Sequence, residues 1–224
     1  MTTPKNKDTR PQVGEETQSY TLSFEDYLAE LTRSLGTINK ERINQAIDIL
    51  IQAYIYDKTI FIFGNGGSLA AAHHMATDFM ELSLKIKDQL KNQGREYKVR
   101  ALSLTPELFS YALDDGENPD WAQSFVMELK GRMQSGDVLI AISGSGESPD
   151  VLRALEYGRD HGAKSIGLLG FRTGGKAAEL VTCPIVVDSN NYGPIEDTHS
   201  ALLHMITGGF KRRIIEQPIS KGGI

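Results

Sequence analysis

The sequence predicts an α/β protein: a doubly wound, five-stranded parallel sheet flanked by helices. Three observations carry this. Short apolar runs alternate with stretches of helical periodicity along most of the chain. Two of the runs, residues 59–63 and 137–142, are β-branched and aromatic enough to be buried parallel strands. Each delivers the chain into a Ser/Gly loop that opens a helix: Gly64-Asn65-Gly66-Gly67-Ser68 after the first and Ser143-Gly144-Ser145-Gly146-Glu147-Ser148 after the second.

The elements follow in order. Residues 1–19 are polar, with almost no large apolar side chains, and predict a flexible N-terminal tail over 1–22. Ser23, three residues ahead of Asp26, sets an acidic capping pattern for an amphipathic helix carrying Tyr27, Leu28, Leu31 and Leu35. A second helix over 40–56 places Ile43, Ala46, Ile47, Leu50, Ile51 and Tyr54 on one face. These two helices precede the first strand and cannot both be crossovers, so they cover the sheet or dock on another subunit. Strand 60–63 leads to a helix from Ser68 to about Leu84, and a polar connection precedes strand 99–104. Residues 106–119 predict a short helix and a loop, followed by a helix over 120–134 and the second of the two loop-forming strands. Helix 149–161, strand 164–169, a Gly174-Gly175 loop with a short helix, strand 184–187, a polar loop and a last helix from about Ile195 to Ile215 complete the pattern. The expected organisation is one domain over 23–216, with a C-terminal tail at 217–224.

Composition narrows the function. The chain has 224 residues and a net charge of −5, without a long basic stripe, which argues against a broad nucleic-acid footprint. The single cysteine, Cys183, excludes an internal disulfide or a multi-cysteine metal site, and its apolar context suits a small buried residue. No apolar run is long enough to span a bilayer and the first residues lack a signal-peptide core, so the expected location is the cytoplasm.

The two loops suit a phosphate held without lysine or arginine. A helix N-terminus offers unpaired N–H groups and partial positive charge, glycine lets an anion approach the backbone, and serine hydroxyls add donors. Neither loop is a P-loop or a dinucleotide fingerprint, and either alone also serves as a plain tight turn. On the helix after the first loop, His74 and Asp78 are four residues apart and share a face; on the last helix Glu196 and His204 are eight apart and lie roughly on one face. One imidazole and one carboxylate from each helix make a workable set for a zinc-like divalent ion, although the same spacing also serves ordinary surface pairs. His73, His161 and His199 lack an equally placed partner and read as structural or exposed. Asp114 and Asp115 fall in a turn-rich segment, suited to an Asx turn or to sugar hydroxyls.

Taken together, Gly-Asn-Gly-Gly-Ser at 64–68 with His74 beyond it, Ala-Ile-Ser-Gly-Ser-Gly-Glu-Ser at 141–148, and Glu196 with His204 resemble the sugar isomerase (SIS) domain, and within it the phosphoheptose isomerases. The resemblance spans about residues 24–216. It implies the SIS fold, with the N-terminal helices used for oligomer packing in a homotetramer whose active sites lie at subunit interfaces. It also implies conversion of sedoheptulose 7-phosphate to a D-glycero-heptose 7-phosphate, for precursors of surface polysaccharides. By the same resemblance Ser143, Gly144, Ser145 and Ser148 hold phosphate; Asn65, Gly66, Gly67 and Ser68 contact substrate; and Asp114 and Asp115 fall near the family's sugar-contacting pair. The implied ligands of one Zn2+ per subunit are His74, Asp78, Glu196 and His204. Asp78 is the implied base and His204 its acid partner, while Asp78 and Glu196 also touch substrate. Two positions depart from the family pattern, which has glutamate where Asp78 stands and glutamine where Glu196 stands. A shorter carboxylate reaches the substrate carbon less well, and an added negative charge tightens a metal while making it a poorer Lewis acid.

The expected chemistry is therefore aldose–ketose isomerisation through an enediol, with a phosphorylated sugar as the partner and neither nucleic acid nor membrane involved. Two rivals stand beside it. One is a non-catalytic phosphosugar-binding or replication-initiator adaptor of the same fold; the other is an isomerase of another sugar phosphate, amino sugars included.

Overall fold

The computed structural model describes residues 22–90, 98–105 and 120–216, with the side chains of 86–90 left aside. The expected tails over 1–22 and 217–224 lie almost wholly outside these residues, and the segment holding Asp114 and Asp115 lies outside them entirely.

Two helices open the described chain, α1 (Phe24–Gly36) and α2 (Lys40–Ile55). The Ser23 hydroxyl accepts the Asp26 N–H at 3.1 Å and donates to the Asp26 carboxylate at 2.7 Å, so the capping pattern works as its spacing suggests. Asn39 caps α2 in the same way through Arg42 N–H. At its far end α2 stops in a Schellman arrangement. Asp57 takes φ +54°, its N–H reaches the Tyr54 carbonyl, and Lys58 N–H reaches Ala53.

The amphipathic reading holds for α2, whose Ala46, Ile47, Leu50, Ile51 and Tyr54 are buried. It fails for α1. Phe24, Leu28 and Leu35 of that helix face outward, and Leu31 is only half-buried. Polar side chains tie α1 to the body instead: Tyr27 to Asp197, Glu30 to Ser189 and Asn191, and Arg33 to Asp188.

The rest alternates strand and helix: β1 (Thr59–Gly64), α3 (Gly67–Leu90), β2 (Arg100–Ser103), then a 3-10 turn at Trp121–Gln123 running into α4 (Ser124–Lys130). There follow β3 (Val138–Ser143), α5 (Pro149–Asp160), β4 (Lys164–Leu169), the one-turn α6 (Ala177–Leu180), β5 (Cys183–Val186) and α7 (Tyr192–Glu216). All four strand pairings are parallel and the order is β2-β1-β3-β4-β5. This is the five-stranded, doubly wound sheet the sequence predicts. Some bounds differ: the helix expected over 120–134 is a 3-10 turn plus a shorter α4, and α7 begins at Tyr192, inside the expected polar loop.

Alternation along the strands feeds two cores. Ile60, Ile62, Ile140 and Ile142 face α2, α3 and α7, whereas Phe61, Phe63, Leu139 and Ala141 face α4, α5 and α6. Phe210 of α7 meets Phe79 edge-on at 5.4 Å and Tyr54 at 6.0 Å, locking the three large helices of the first face together. Cys183 is wholly buried, and burial pushes its thiol up to about 11, in keeping with a packing residue.

The strand order reverses direction between β1 and β3. In an open parallel sheet that reversal leaves a crevice beyond the carboxyl ends of the two strands, where ligands bind. Gly64 sits opposite Ile142 in the register, so both Ser/Gly loops emerge side by side at that crevice.

Candidate functional site

The first loop turns tightly into α3, with Ser68 N–H on the Asn65 carbonyl at 3.0 Å and Leu69 N–H on Gly66 at 3.1 Å. Asn65, Gly66 and Gly67 are exposed while Ser68 is buried. The Glu196 side chain closes on Gly67, whose Cβ, were there one, would lie 2.7 Å from Glu196 Oε2. The Glu196 carboxylate therefore rests against the first residue of α3, where unpaired N–H groups favour negative charge.

The second loop is bound to itself. Ser143 Oγ accepts the Gly146 N–H at 3.1 Å and Ser145 Oγ accepts the Glu147 N–H at 3.2 Å. A hydroxyl that accepts keeps its own hydrogen to donate, so both serines still offer O–H groups. Ser148 occupies the N-cap position of α5, and its side chain makes no capping bond. Gly144 lies under the Tyr192 ring, 3.1 Å from where a Cβ would stand. The loop's acid, Glu147, is held by the Lys176 ammonium at 2.9 Å, and that bond lowers the carboxyl below its ordinary range.

A contact with no counterpart in the sequence pattern joins the loops. Asn65 Nδ2 donates to both carboxylate oxygens of Asp150, at 3.1 and 2.9 Å, and Asp150 also accepts the Val151 N–H at 2.9 Å. Asp150 is buried, and desolvation raises its carboxyl against the lowering by Asn65. With its NH2 group committed to Asp150, Asn65 turns its carbonyl oxygen the other way. Nothing in the local pattern of residues 148–151 distinguishes Asp150 from a first-turn helix acid, so only the fold reveals the contact.

Helices α3 and α7 lie side by side and run in the same direction, since Gly67 meets Glu196 and, two turns on, His74 meets His204. His204 Nε2 and His74 Nε2 are 3.3 Å apart with their rings edge to face, and His74 Nε2 is 3.7 Å from Asp78 Oδ1. Among the described residues, these three form a group whose ligand atoms all lie within 4.8 Å of one another. The donor set suits a divalent ion of the zinc kind. A nitrogen separation of 3.3 Å is close to the edge of a tetrahedron with metal–nitrogen distances of about 2.0–2.1 Å. Of the four expected ligands, Glu196 is not in the group. Eight residues of helix put it about 12 Å further along the axis, at the α3 N-terminus.

A cleft of about 250 Å³ runs from the α3 N-terminus to His74, walled by Gly67, Ser68, His74, Glu196, Asp197 and His199. A second cleft of about 250 Å³ begins at Asp78 and His204 and runs out to Lys85 and Lys211. The His/Asp group thus borders a cleft on either side. Two wall residues carry no functional signal in the sequence. Asp197 accepts the Tyr27 hydroxyl at 2.6 Å; burial and then Asp197 push that phenol up to about 12, keeping it a donor. His199, expected to be structural or exposed, is 1% exposed in the cleft wall and bonds the Leu169 carbonyl at 3.1 Å.

The arrangement can anchor an anionic group at the loops and present two imidazoles, a carboxylate and a cation-binding geometry about two helical turns away. Comparison with known proteins identifies the family. The SIS domain family profile matches residues 23–91. A phosphoheptose isomerase of a Nitratiruptor species is 37% identical over 159 residues, covering 70% of this chain and 79% of that protein. One from Helicobacter pylori is 32% identical, covering 81% and 88%. Among solved structures, a phosphoheptose isomerase from Neisseria gonorrhoeae superposes with a TM-score of 0.69 at 24% identity, over 83% of this chain and 95% of that one. Another, from Francisella tularensis, gives 0.70 at 21% identity, over 84% and 94%. With a sheet, two loops and a facing histidine pair in these places, and relatives matched over most of their length, the chain belongs to the phosphoheptose isomerase family of SIS-domain proteins.

Proposed function

We propose that this protein is an aldose–ketose isomerase converting sedoheptulose 7-phosphate to a D-glycero-heptose 7-phosphate through an enediol. The observation that carries the reading is the continuous cleft from the α3 N-terminus at Gly67 and Ser68 to His74, the edge of the His74–Asp78–His204 group. A phosphosugar fits that layout, with its charged end at the loops and its carbonyl end at the histidines.

In this reading the O–H groups of Ser143, Ser145 and Ser148, with the α5 N-terminus and Gly144, hold the phosphate. Asn65, Gly66, Gly67 and Ser68 contact hydroxyls, and Asp114 and Asp115 are the further pair assigned to the sugar. Binding at the unreacting phosphate orients the far end of the sugar. Asp78 moves a proton between C1 and C2, and His204 gives and takes a proton at the neighbouring oxygen. His74, Asp78 and His204 would hold one Zn2+ per subunit, which supplies Lewis-acid polarisation of a carbonyl oxygen, and Glu196, the fourth expected ligand, would join them only by swinging away from Gly67. Residues 23–216 act as one SIS domain. The outward stripe of Phe24, Leu28 and Leu35 on α1, and Met80 and Leu84 on α3, support burial of these helices in a homotetramer. The product serves heptose precursors of surface polysaccharide in the cytoplasm.

NMR of the purified protein with sedoheptulose 7-phosphate, with added zinc and after chelation, tests this. Metal-dependent appearance of an aldoheptose 7-phosphate is the expected result, with Asp78→Asn and His204→Ala each losing at least about a hundredfold in turnover at unchanged melting temperature. Parent-like rates in both variants overturn the assignment of roles. No conversion by the parent overturns the substrate.

A further inference from the structure

His199 belongs to no role assigned above, yet it stands in the wall of the cleft beside Glu196 and Asp197. Its ring is held by one bond, from Nε2 to the carbonyl of Leu169, the last residue of β4, at 3.1 Å. A carbonyl oxygen only accepts, so Nε2 carries the hydrogen and Nδ1 is a bare lone pair. That Nδ1 is buried with no hydrogen-bond partner among the described residues. The same Leu169 carbonyl also accepts the Val187 N–H at 2.8 Å, so the anchor belongs to the sheet and does not follow side-chain motion.

A buried acceptor without a partner is an uncompensated cost, and such a group in a native structure calls for a use. We propose that His199 is a substrate-contacting residue, whose Nδ1 accepts a hydrogen bond from a hydroxyl of the bound sugar. The proposal rests on the phosphosugar reading of the cleft. Three features suit the role. The tautomer is fixed before the ligand arrives, because the Nε2–H bond to Leu169 settles it. Burial holds the imidazole neutral, down to about 4, so it stays an acceptor across ordinary pH. And an acceptor with little water contact rejects a ligand that lacks the matching O–H, since neither side can then be satisfied. His199 thereby differs from His74 and His204, whose Nε2 atoms face each other and suit a cation.

Two substitutions separate this role from a purely structural one. Glutamine reaches to where Nε2 lies and keeps the donor to Leu169, but places no acceptor at Nδ1. Asparagine reaches to where Nδ1 lies and gives up the Leu169 bond. We expect His199→Gln to keep the parent melting temperature within a few degrees while losing about tenfold in kcat/KM. His199→Asn should melt lower yet keep the larger share of kcat/KM per folded molecule. In parent protein labelled with 15N-histidine, the Nδ1 resonance of His199 should move toward the hydrogen-bonded range on adding sedoheptulose 7-phosphate or fructose 6-phosphate, and stay still with inorganic phosphate.

Turnover by the parent with an unmoved Nδ1 resonance and a fully active His199→Gln overturns the proposal alone, as does activity that merely tracks stability in both variants. A moved resonance without turnover keeps the contact and overturns the isomerase reading. No turnover and no movement with either sugar phosphate overturns both.

Discussion

The two Ser/Gly loops have nearly the same composition and the same place after a central strand, but they are held very differently. The β3–α5 loop buries Ser143, Gly144 and Gly146, is tied by its own serine hydroxyls, pairs Glu147 with Lys176, and is pressed against the glycines of the β4–α6 loop. The β1–α3 loop exposes Asn65, Gly66 and Gly67 and has one long-range side-chain tether, the Asn65–Asp150 bond. Strand pairing thus gives the loops one location and their neighbours give them unequal stiffness. An enzyme that anchors phosphate at one end and does chemistry at the other gains from such a division. On the proposed reading the stiffer loop is a preorganised phosphate anchor, while the more open one, which would contact hydroxyls, keeps room to adjust.

The sharpest way to break the comparison is a single methyl on the stiff side. At Gly146, φ is +63° and a Cβ would stand 1.9 Å from the Gly174 carbonyl oxygen. Gly146→Ala should cost at least about 3 kcal/mol in urea denaturation and abolish sugar-phosphate binding, because neither backbone has a flexible group to yield. Next in size is the tether. Asn65→Ala strips the buried Asp150 carboxylate of its side-chain donor and should cost about 1–3 kcal/mol by the same measurement. On the open side, Gly66 has a similar φ of +55° with nothing within 4 Å of an added Cβ. Gly66→Ala should therefore cost only about 1 kcal/mol, the left-handed backbone penalty without a clash. An equal effect at Gly66 and Gly146 would erase the distinction between the loops. The smallest expected effect is Lys176→Ala. The pair it makes with Glu147 is 73% and 46% exposed, so the melting curve should shift by less than about 0.5 kcal/mol.

What can be read from the sequence follows from which interactions are local. The strands are legible because parallel strands buried on both faces read as continuous apolar runs, and the reversal of strand order matches two loops with helix-opening glycines. The His74–Asp78 pair is legible because four residues of helix bring side chains together, and the structure does place His204 against it. The place of Glu196 is harder to judge. Helical spacing shows a shared face but not the distance along it, and only the parallel packing of α3 with α7 sets Glu196 beside Gly67. Asp150 and His199 are illegible for the same reason. Their partners, Asn65 and Leu169, lie 85 and 30 residues away and leave no periodic trace. On α1 the apolar stripe is present as a pattern, but periodicity cannot say whether its partner lies within the chain.

Helix α7 packs on α1, α2 and α3, all of which are synthesised long before it. Its His204 meets a residue 130 positions earlier. A growing chain therefore carries the apolar faces of α2 and α3, Ile47, Tyr54 and Phe79 among them, without a cover until its final helix has left the ribosome. Closing so large a loop is entropically slow, and the uncovered intermediate is prone to self-association. The protein acquires its cleft and its cover in a single late step, so a chain truncated before Tyr192 would lack both.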